Sequence, residues 1–227
     1  MHYLEQWNYC PKCGSNQFVV HDFKSKHCEA CGFTYYFNAA AAVIAIIENE
    51  KGEMLVARRG EEPAKGTLDF IGGFVDPGEG FEEAVVREIE EETGWKCLTP
   101  GPSPKEEKRK SLTPGPSPKC EKKSLTPNPS PRGEGSSYSG DGDEDGGGNM
   151  KVLFSLPNTY LYSGLTIHSC DCFFHVLIPS DAKLKANDDV AACWWEKPEN
   201  IKVEDFGLHS ARIGLQRFLE LKKKGKV

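Results

Sequence analysis

Three glutamates carry the first chemical signal. In Arg87-Glu-Ile-Glu-Glu-Glu-Thr-Gly94, a helix advancing 100° per residue places Glu88, Glu91 and Glu92 within an arc of about 100°. Three carboxylates that close repel one another at neutral pH. A divalent cation removes the repulsion, and hard oxygen donors suit Mg²⁺ or Mn²⁺. Phe81, Val85 and Ile89 flank the arc and are expected to anchor the helix to a sheet. Glu82, Glu83 and Glu90 point elsewhere, toward solvent. Arg87, one position before Glu88, is placed to neutralise Glu79 and hold it. The competing reading is an ordinary acidic surface helix, and a glutamate cluster alone does not separate the two.

The flanking residues do separate them. Gly73 is followed after five residues by Glu79, and after seven more by Arg87-Glu88, Ile89, Glu91-Glu92 and Gly94. This spacing resembles the Nudix box, with every fixed position filled. Trp95 stands where a smaller aliphatic residue is usual, and Ile71 where proline often precedes the two glycines. The resemblance covers about residues 38–97 and 151–223. It implies an α/β/α sandwich that hydrolyses a nucleoside diphosphate linked to another group. Carried over by position, Glu88, Glu91 and Glu92 bind the divalent metals, Glu79 is an auxiliary ligand or orienting group, the Gly72 carbonyl contacts metal, and Arg87 braces Glu79. The general base in several branches comes from a later loop, here Asn187-Asp-Asp-Val-Ala-Ala-Cys-Trp-Trp195. Asp189 is the candidate and Asp188 the alternate. Related sequences often place a glutamate near Ala192, and aspartates that merely cap a loop are the competing reading.

Two cysteine pairs form a second signal. Cys10-Pro-Lys-Cys13 and Cys28-Glu-Ala-Cys31 are separated by 14 residues, and each is followed by glycine. Four thiolates suit tetrahedral Zn²⁺ and leave no open position, so the zinc is expected to be structural. The arrangement resembles a zinc ribbon. Of the nine cysteines, Cys97, Cys120, Cys170, Cys172 and Cys193 lack ligand spacing. An odd total without a framework fits a reducing compartment better than a disulfide scaffold.

These elements divide the chain into a ribbon over residues 1–37 and an α/β domain in two parts, 38–97 and 150–227. Between them, residues 98–149 repeat Leu-Thr-Pro-Gly-Pro-Ser-Pro-Lys from Leu98, from Leu112 and, with small changes, from Leu125. Three prolines per unit and no apolar period exclude strand pairing or a buried face, so disorder is expected. A repetitive insertion tolerated in a surface loop is the simpler reading, and a proline-rich ligand for a partner domain the sharper one. In the α/β domain, Ala42–Ile47 reads as a buried strand and Glu53–Arg58 as its hairpin partner. Phe81–Thr93 reads as a helix, Val152–Leu156 and Asp171–Ile178 as strands. Phe206–Lys223 reads as a terminal helix with Leu208, Ile213, Leu215, Phe218 and Leu219 as its apolar candidates.

The 227 residues carry a net charge of −6. That balance argues against holding nucleic acid by bulk electrostatics, but not against a nucleotide in a metal-filled pocket. No apolar run approaches the ~20 residues of a membrane span. The start lacks a signal-peptide pattern, so a cytoplasmic location is the default expectation. A homodimer is left open.

The substrate is less constrained. A zinc ribbon ahead of a Nudix domain resembles the NADH pyrophosphatase group, which usually carries Ser-Gln-Pro-Trp after the box. Here the chain reads Phe154-Ser-Leu-Pro-Asn-Thr-Tyr-Leu-Tyr162 instead. ADP-ribose or another nucleotide sugar is therefore the first expectation, with NADH, NAD or NAD-capped RNA as the alternative. Tyr160 and Tyr162 are candidates to stack on a base, and Arg58 and Arg59 to hold a phosphate. His209 is expected to be structural. A non-catalytic nucleotide sensor is the rival from another class, though a sensor does not require every metal carboxylate.

Overall fold

The computed structural model describes residues 2–96 and 149–227. The repeats, Cys97 and Cys120 lie outside the described residues. Among those described, no helix is long and apolar enough to cross a membrane.

The N-terminal segment folds as a three-stranded antiparallel sheet of β1 (Phe18–Asp22), β2 (Ser25–Cys28) and β3 (Thr34–Tyr36). Its core is only Cys10, Phe18 and Cys28, with Cys31, Phe33 and Tyr35 packed against them. So small a core cannot hold a fold without a crosslink or a metal.

The main sheet is built on β4 (Ala40–Glu48), with β5 (Met54–Arg59), β6 (Leu68–Asp69), β7 (Ile71–Phe74), β8 (Met150–Tyr162), β9 (Leu165–Leu177) and β10 (Val190–Glu196). The order is β10-β5-β4-β9-β8, with β6 on β5 and β7 on β4. β4 runs parallel to β9 from Ala40↔Ser169 to Glu48↔Leu177 and antiparallel to β7 from Ala42↔Phe74 to Ala45↔Ile71. The hairpin expected between β4 and β5 holds only at Glu48↔Met54. Beyond that rung the strands part, because their facing edges pair with β7 and β6 instead, while β10 takes the far edge of β5.

Strand alternation explains the layers. Val43, Ala45 and Ile47 of β4, Leu55 and Ala57 of β5, and Phe174 of β9 face α1 (Phe81–Thr93), where Ala84, Val85 and Ile89 meet them. Ile46, Met54, Val56 and Phe173 face the other way, onto Ala211, Leu215 and Phe218 of α2 (His209–Lys223). The result is the expected α/β/α sandwich. Two details differ from expectation. Phe81 is exposed and Ala84 takes its anchoring place, and Ile213 is also exposed, on the outer face of α2. α2 starts at His209, after Phe206, which is buried in the loop ahead of it. At Gly214, a Cβ would collide with the Phe173 ring, so glycine sets how closely α2 approaches the sheet.

β8 and β9 are each 13 residues and form one long hairpin. Their two-residue turn is Ser163–Gly164, both with positive φ (49° and 78°), which matches the twist of the flanking strands. Pro157, Asn158 and Gly164 hid the second half of this hairpin in the sequence. Pro157 is tolerated because β8 is an edge strand. The hairpin also meets the N-terminal segment: Tyr3 stacks on Phe37 at 5.2 Å, and both rings meet His168 edge-on.

Candidate active site

α1 is set by its ends. The Gly80 N–H donates to Glu83 Oε2 at 2.9 Å, and Gly94, with φ 67°, closes the helix by donating to the Glu90 carbonyl. The helix buries Glu88 and Glu92 along with its apolar anchors, while Glu91 stays exposed at the rim. Two glycines make room for the buried pair. Gly72 has φ 153°, and a Cβ there would collide with the Val43 carbonyl oxygen. Its N–H donates to Glu92 Oε2 at 2.9 Å. The bare face of Gly73 is where the Glu88 carboxylate lies.

Arg87 organises the carboxylates. Its Nε and Nη2 donate to the two oxygens of Glu79, at 2.8 and 2.9 Å. Nη1 donates to Glu88 at 2.8 Å and Glu91 at 2.9 Å, and Nη2 also donates to the Phe74 carbonyl at 2.9 Å. A guanidinium has five N–H groups, and these bonds use all of them. Arg87 thus positions its neighbours and keeps nothing for a substrate. Glu79, held on both sides, titrates below the usual glutamate range because of the Arg87 hydrogen bonds.

The end of α1 also hangs the later loop. Its terminal carbonyls need donors, and Glu92 and Thr93 receive them from the backbone N–H groups of Asn187 and Lys185, both at 2.9 Å. Asp188 takes a positive φ of 50°, and the Asp189 carbonyl accepts the Gly60 N–H at 2.7 Å. This brings Asp188 and Asp189 to the cavity that Glu88, Glu91 and Glu92 line.

The cavity measures about 300 Å³. Glu88, Glu91, Glu92, Asp188 and Asp189 line it together with Asp69 and Asp171, and among the described residues the cations set against them are Arg87 and Arg59. Burial pushes Glu92 up to about 9, and Glu88, Asp69 and Asp189 push the same way. Burial raises Glu88 too, against the pull of Arg87. Hard oxygen donors, partly desolvated and short of positive charge, fit a divalent cation of the Mg²⁺ or Mn²⁺ kind.

The other candidates divide. Arg59 lines the cavity, donating from Nη1 to Asp69 and from Nε to the Pro63 carbonyl, both at 2.6 Å. Among the described residues its Nη2 has no acceptor. Arg58, next along the strand, points to the opposite side. It donates to the Gly66 carbonyl and lies 5.5 Å from the Trp194 ring, in a different cavity. Tyr160 lines the site, whereas Tyr162 stands outside it near the hairpin tip, half exposed. The sequence reading missed Asp69, Asn158, Ser169 and Asp171, which form the far wall. No local motif marks them.

The N-terminal cysteines converge as their spacing implied. Cys10 Sγ lies 3.8 Å from Cys31 Sγ, and Cys13 Sγ lies 3.7 Å from Cys28 Sγ. All four sulfurs fall within 4.8 Å of one another. A tetrahedron with Zn–S near 2.3 Å has edges of about 3.8 Å, so the sulfur cage is the right size for zinc and far too open for disulfides. The two knuckles repeat one geometry. Cys10 N–H bonds the Ser15 carbonyl and Gly14 N–H the Cys10 carbonyl; Cys28 N–H bonds the Phe33 carbonyl and Gly32 N–H the Cys28 carbonyl.

Comparison with known proteins agrees with this architecture. Residues 38–125 match the family model described as NUDIX domain. The chain is 30% identical over 92 residues to the NAD-capped RNA hydrolase NudC of Stutzerimonas stutzeri, covering 40% of this chain and 33% of that one. It is 48% identical over 62 residues to the ADP-ribose pyrophosphatase of Methanocaldococcus jannaschii, covering 27% and 36%. The chain thus spans about a third of the length of these curated relatives. The crystal structure of a NUDIX hydrolase from Nitrosomonas europaea superposes with a TM-score of 0.57 at 14% identity, over 96% of this chain and 94% of that one, which shows a shared fold. The box residues on α1, the sandwich around them and the family model over residues 38–125 agree on a stretch of this chain that matches the Nudix domain.

Proposed function

We propose that this protein hydrolyses the pyrophosphate bond of a nucleoside diphosphate derivative, with a divalent cation held by Glu88, Glu91, Glu92 and the Gly72 carbonyl. The observation that supports it is the wall of buried and rim carboxylates around one arginine, facing a cavity whose other side offers the unspent donors of Arg59. When bound, the cation supplies charge neutralisation on the pyrophosphate and lowers the pKa of water. Arg59 Nη2 donates to a phosphate oxygen across the cavity. The Asp189 carboxylate takes the proton of the attacking water, with Asp188 as the alternate. A water oxygen–phosphorus bond forms, the bridging phosphorus–oxygen bond breaks, and the nucleoside monophosphate leaves with the phosphorylated remainder.

ADP-ribose is the first substrate, in keeping with the absent Ser-Gln-Pro-Trp signature and the similarity to an ADP-ribose pyrophosphatase. NADH, NAD and NAD-capped RNA form the second reading, favoured by the cysteine-bearing segment and the similarity to NudC. That segment, residues 1–37, holds one structural zinc in this reading. Residues 98–149 interrupt the Nudix domain as an insertion. The test is product release from ADP-ribose, NADH, NAD and NAD-capped RNA with Mg²⁺, with Mn²⁺ and with chelator. Metal-dependent release of AMP from ADP-ribose is the expected result. Nucleotide binding without turnover under any metal would point to a sensor instead.

A further inference from the structure

The wall opposite α1 carries a polar pair that the chemistry above does not use. Asn158 and Ser169 face each other across β8 and β9. Both line the cavity and both are nearly buried, at 5% and 4% exposure. The Asn158 side-chain oxygen accepts the Thr159 N–H at 3.0 Å. That bond fixes the amide orientation, which is otherwise ambiguous. It leaves the Nδ2 hydrogens as the group presented to the cavity, and among the described residues they have no acceptor. The amide nitrogen is therefore open to the cavity, where water or a ligand supplies the acceptors.

Ser169 is the complement. Its hydroxyl donates to Asp171 Oδ1 at 2.6 Å, while Ser210, in the first turn of α2, donates to Asp171 Oδ2 at 2.6 Å. With its proton committed to Asp171, Ser169 Oγ turns only lone pairs to the cavity. Asp171 is itself 3% exposed and lines the same wall. The wall therefore offers two amide donors beside a polarised acceptor, backed by a carboxylate.

Phosphate does not suit that wall, because the buried Asp171 carboxylate behind it would repel an anion. A neutral group that both gives and takes hydrogen bonds does suit it, and a sugar hydroxyl is such a group. We infer that Asn158 and Ser169 form a subsite for a ribose hydroxyl of the substrate, with Asp171 as the positioning residue that sets the Ser169 proton. The inference rests on the nucleotide-hydrolase reading and adds a basis for selecting ribose over deoxyribose. Tyr160, two residues from Asn158 and on the same face of β8, closes the subsite on one side.

The test compares ADP-ribose with two analogues, one lacking the adenosine 2′-hydroxyl and one lacking the 2-hydroxyl of the terminal ribose. With wild-type protein, one of the two should lose about tenfold in kcat/KM, mostly through KM, as expected for one hydrogen-bonded hydroxyl. Asn158→Leu keeps the side chain's size, adds no charge and removes both donors, and the Thr159 N–H that it frees belongs to an exposed residue where water accepts it; its unfolding midpoint, measured beside wild type, checks that the variant folds. It should erase the preference by weakening ADP-ribose and the analogue that keeps the contacted hydroxyl, while the analogue lacking that hydroxyl is unchanged. Ser169→Ala should do the same. Calorimetric binding of the three nucleotides to metal-free wild-type protein reads the subsite without turnover. Preference in binding with no hydrolysis under any metal would sink the hydrolase reading and keep the subsite. Hydrolysis of all three with equal KM, or an equal loss on all three in Asn158→Leu, would overturn the subsite and leave the hydrolase reading intact. Neither binding nor turnover of any of the three would remove both.

Discussion

The Glu88 carboxylate occupies the space that a side chain on Gly73 would need: an ideal Cβ on Gly73 would lie 2.5 Å from Glu88 Oε1. The glycine that opens the box is thus a cradle for a carboxylate as much as a turn residue. The obstacle is the mobile end of a side chain rather than backbone, so the fold can yield to it while the site cannot.

Gly73→Ala should therefore cost activity with little loss of stability. Turnover is expected to fall about 10- to 100-fold, the range for displaced support of a metal site. Gly72→Ala and Gly214→Ala are the contrast. Their new methyl groups meet the Val43 backbone and the Phe173 ring, and each should lower stability by about 1–3 kcal/mol. Denaturant unfolding of the three variants beside kcat separates the two outcomes. An unfolding midpoint for Gly73→Ala as low as that of Gly72→Ala would contradict this account.

Glu91→Gln and Glu92→Gln should each reduce turnover by at least about 100-fold, because each removes charge that a divalent cation requires. Glu82 and Glu90 lie on exposed faces of the same helix, and their glutamine variants should change turnover less than about threefold. Steady-state rates at saturating Mn²⁺ check the pattern. Equal loss at all four positions would move the metal site off this face.

Glu92 should make the metal-free protein sensitive to pH. Its folded value of about 9 lies far above its usual 4.5. Below pH 4.5 both folded and unfolded chains hold the proton, and no penalty exists. As pH rises toward 9 the unfolded chain loses the proton and the folded one is forced to keep it, so stability falls across that window. Glu92→Gln should flatten this part of the profile. Melting midpoints in chelator between pH 5 and 9, wild type against variant, measure it; parallel curves would show that Glu92 ionises freely in the fold.

Arg87→Lys keeps the charge but cannot bridge Glu79, Glu88, Glu91 and the Phe74 carbonyl together, since an ammonium has three donors and no planar fork. Turnover is expected to fall about 10- to 100-fold, with substrate KM nearly unchanged because Arg87 spends every donor on the protein. A rise in KM at constant kcat would instead mean that Arg87 meets the substrate.

The cysteine cage should bind about one zinc per chain in elemental analysis, and Cys28→Ser should lose it. Loss of zinc should unfold the three-stranded sheet first, because its core is too small to stand alone. Trp7, stacked on Tyr35 at 5.4 Å, reports that event by fluorescence. An unchanged Trp7 environment after metal removal would show that the segment folds without the metal.

The sequence by itself determined the parts whose physics is local. Glutamates at helical spacing must share a face, so α1 and its cavity-facing carboxylates were readable to the residue. Paired cysteines two apart must form knuckles, so the sulfur cage was readable too. Tertiary structure alone decided the rest. Asp188 and Asp189 reach Glu88 and Glu92 because the spent end of α1 needs donors that the Asn187 loop supplies, across more than ninety residues of chain. Arg58 and Arg59 looked alike in the sequence, yet strand alternation sends one to Trp194 and the other to the cavity. Asn158, Ser169 and Asp171 carry no motif, and their meaning comes from strand register and from Ser210 on α2. β4 and β5 read as a hairpin because adjacent apolar runs usually pair, but β7 and β6 take their facing edges and open the fork. Local spacing fixes which groups can act together on one element; only long-range pairing fixes which elements face the same cavity.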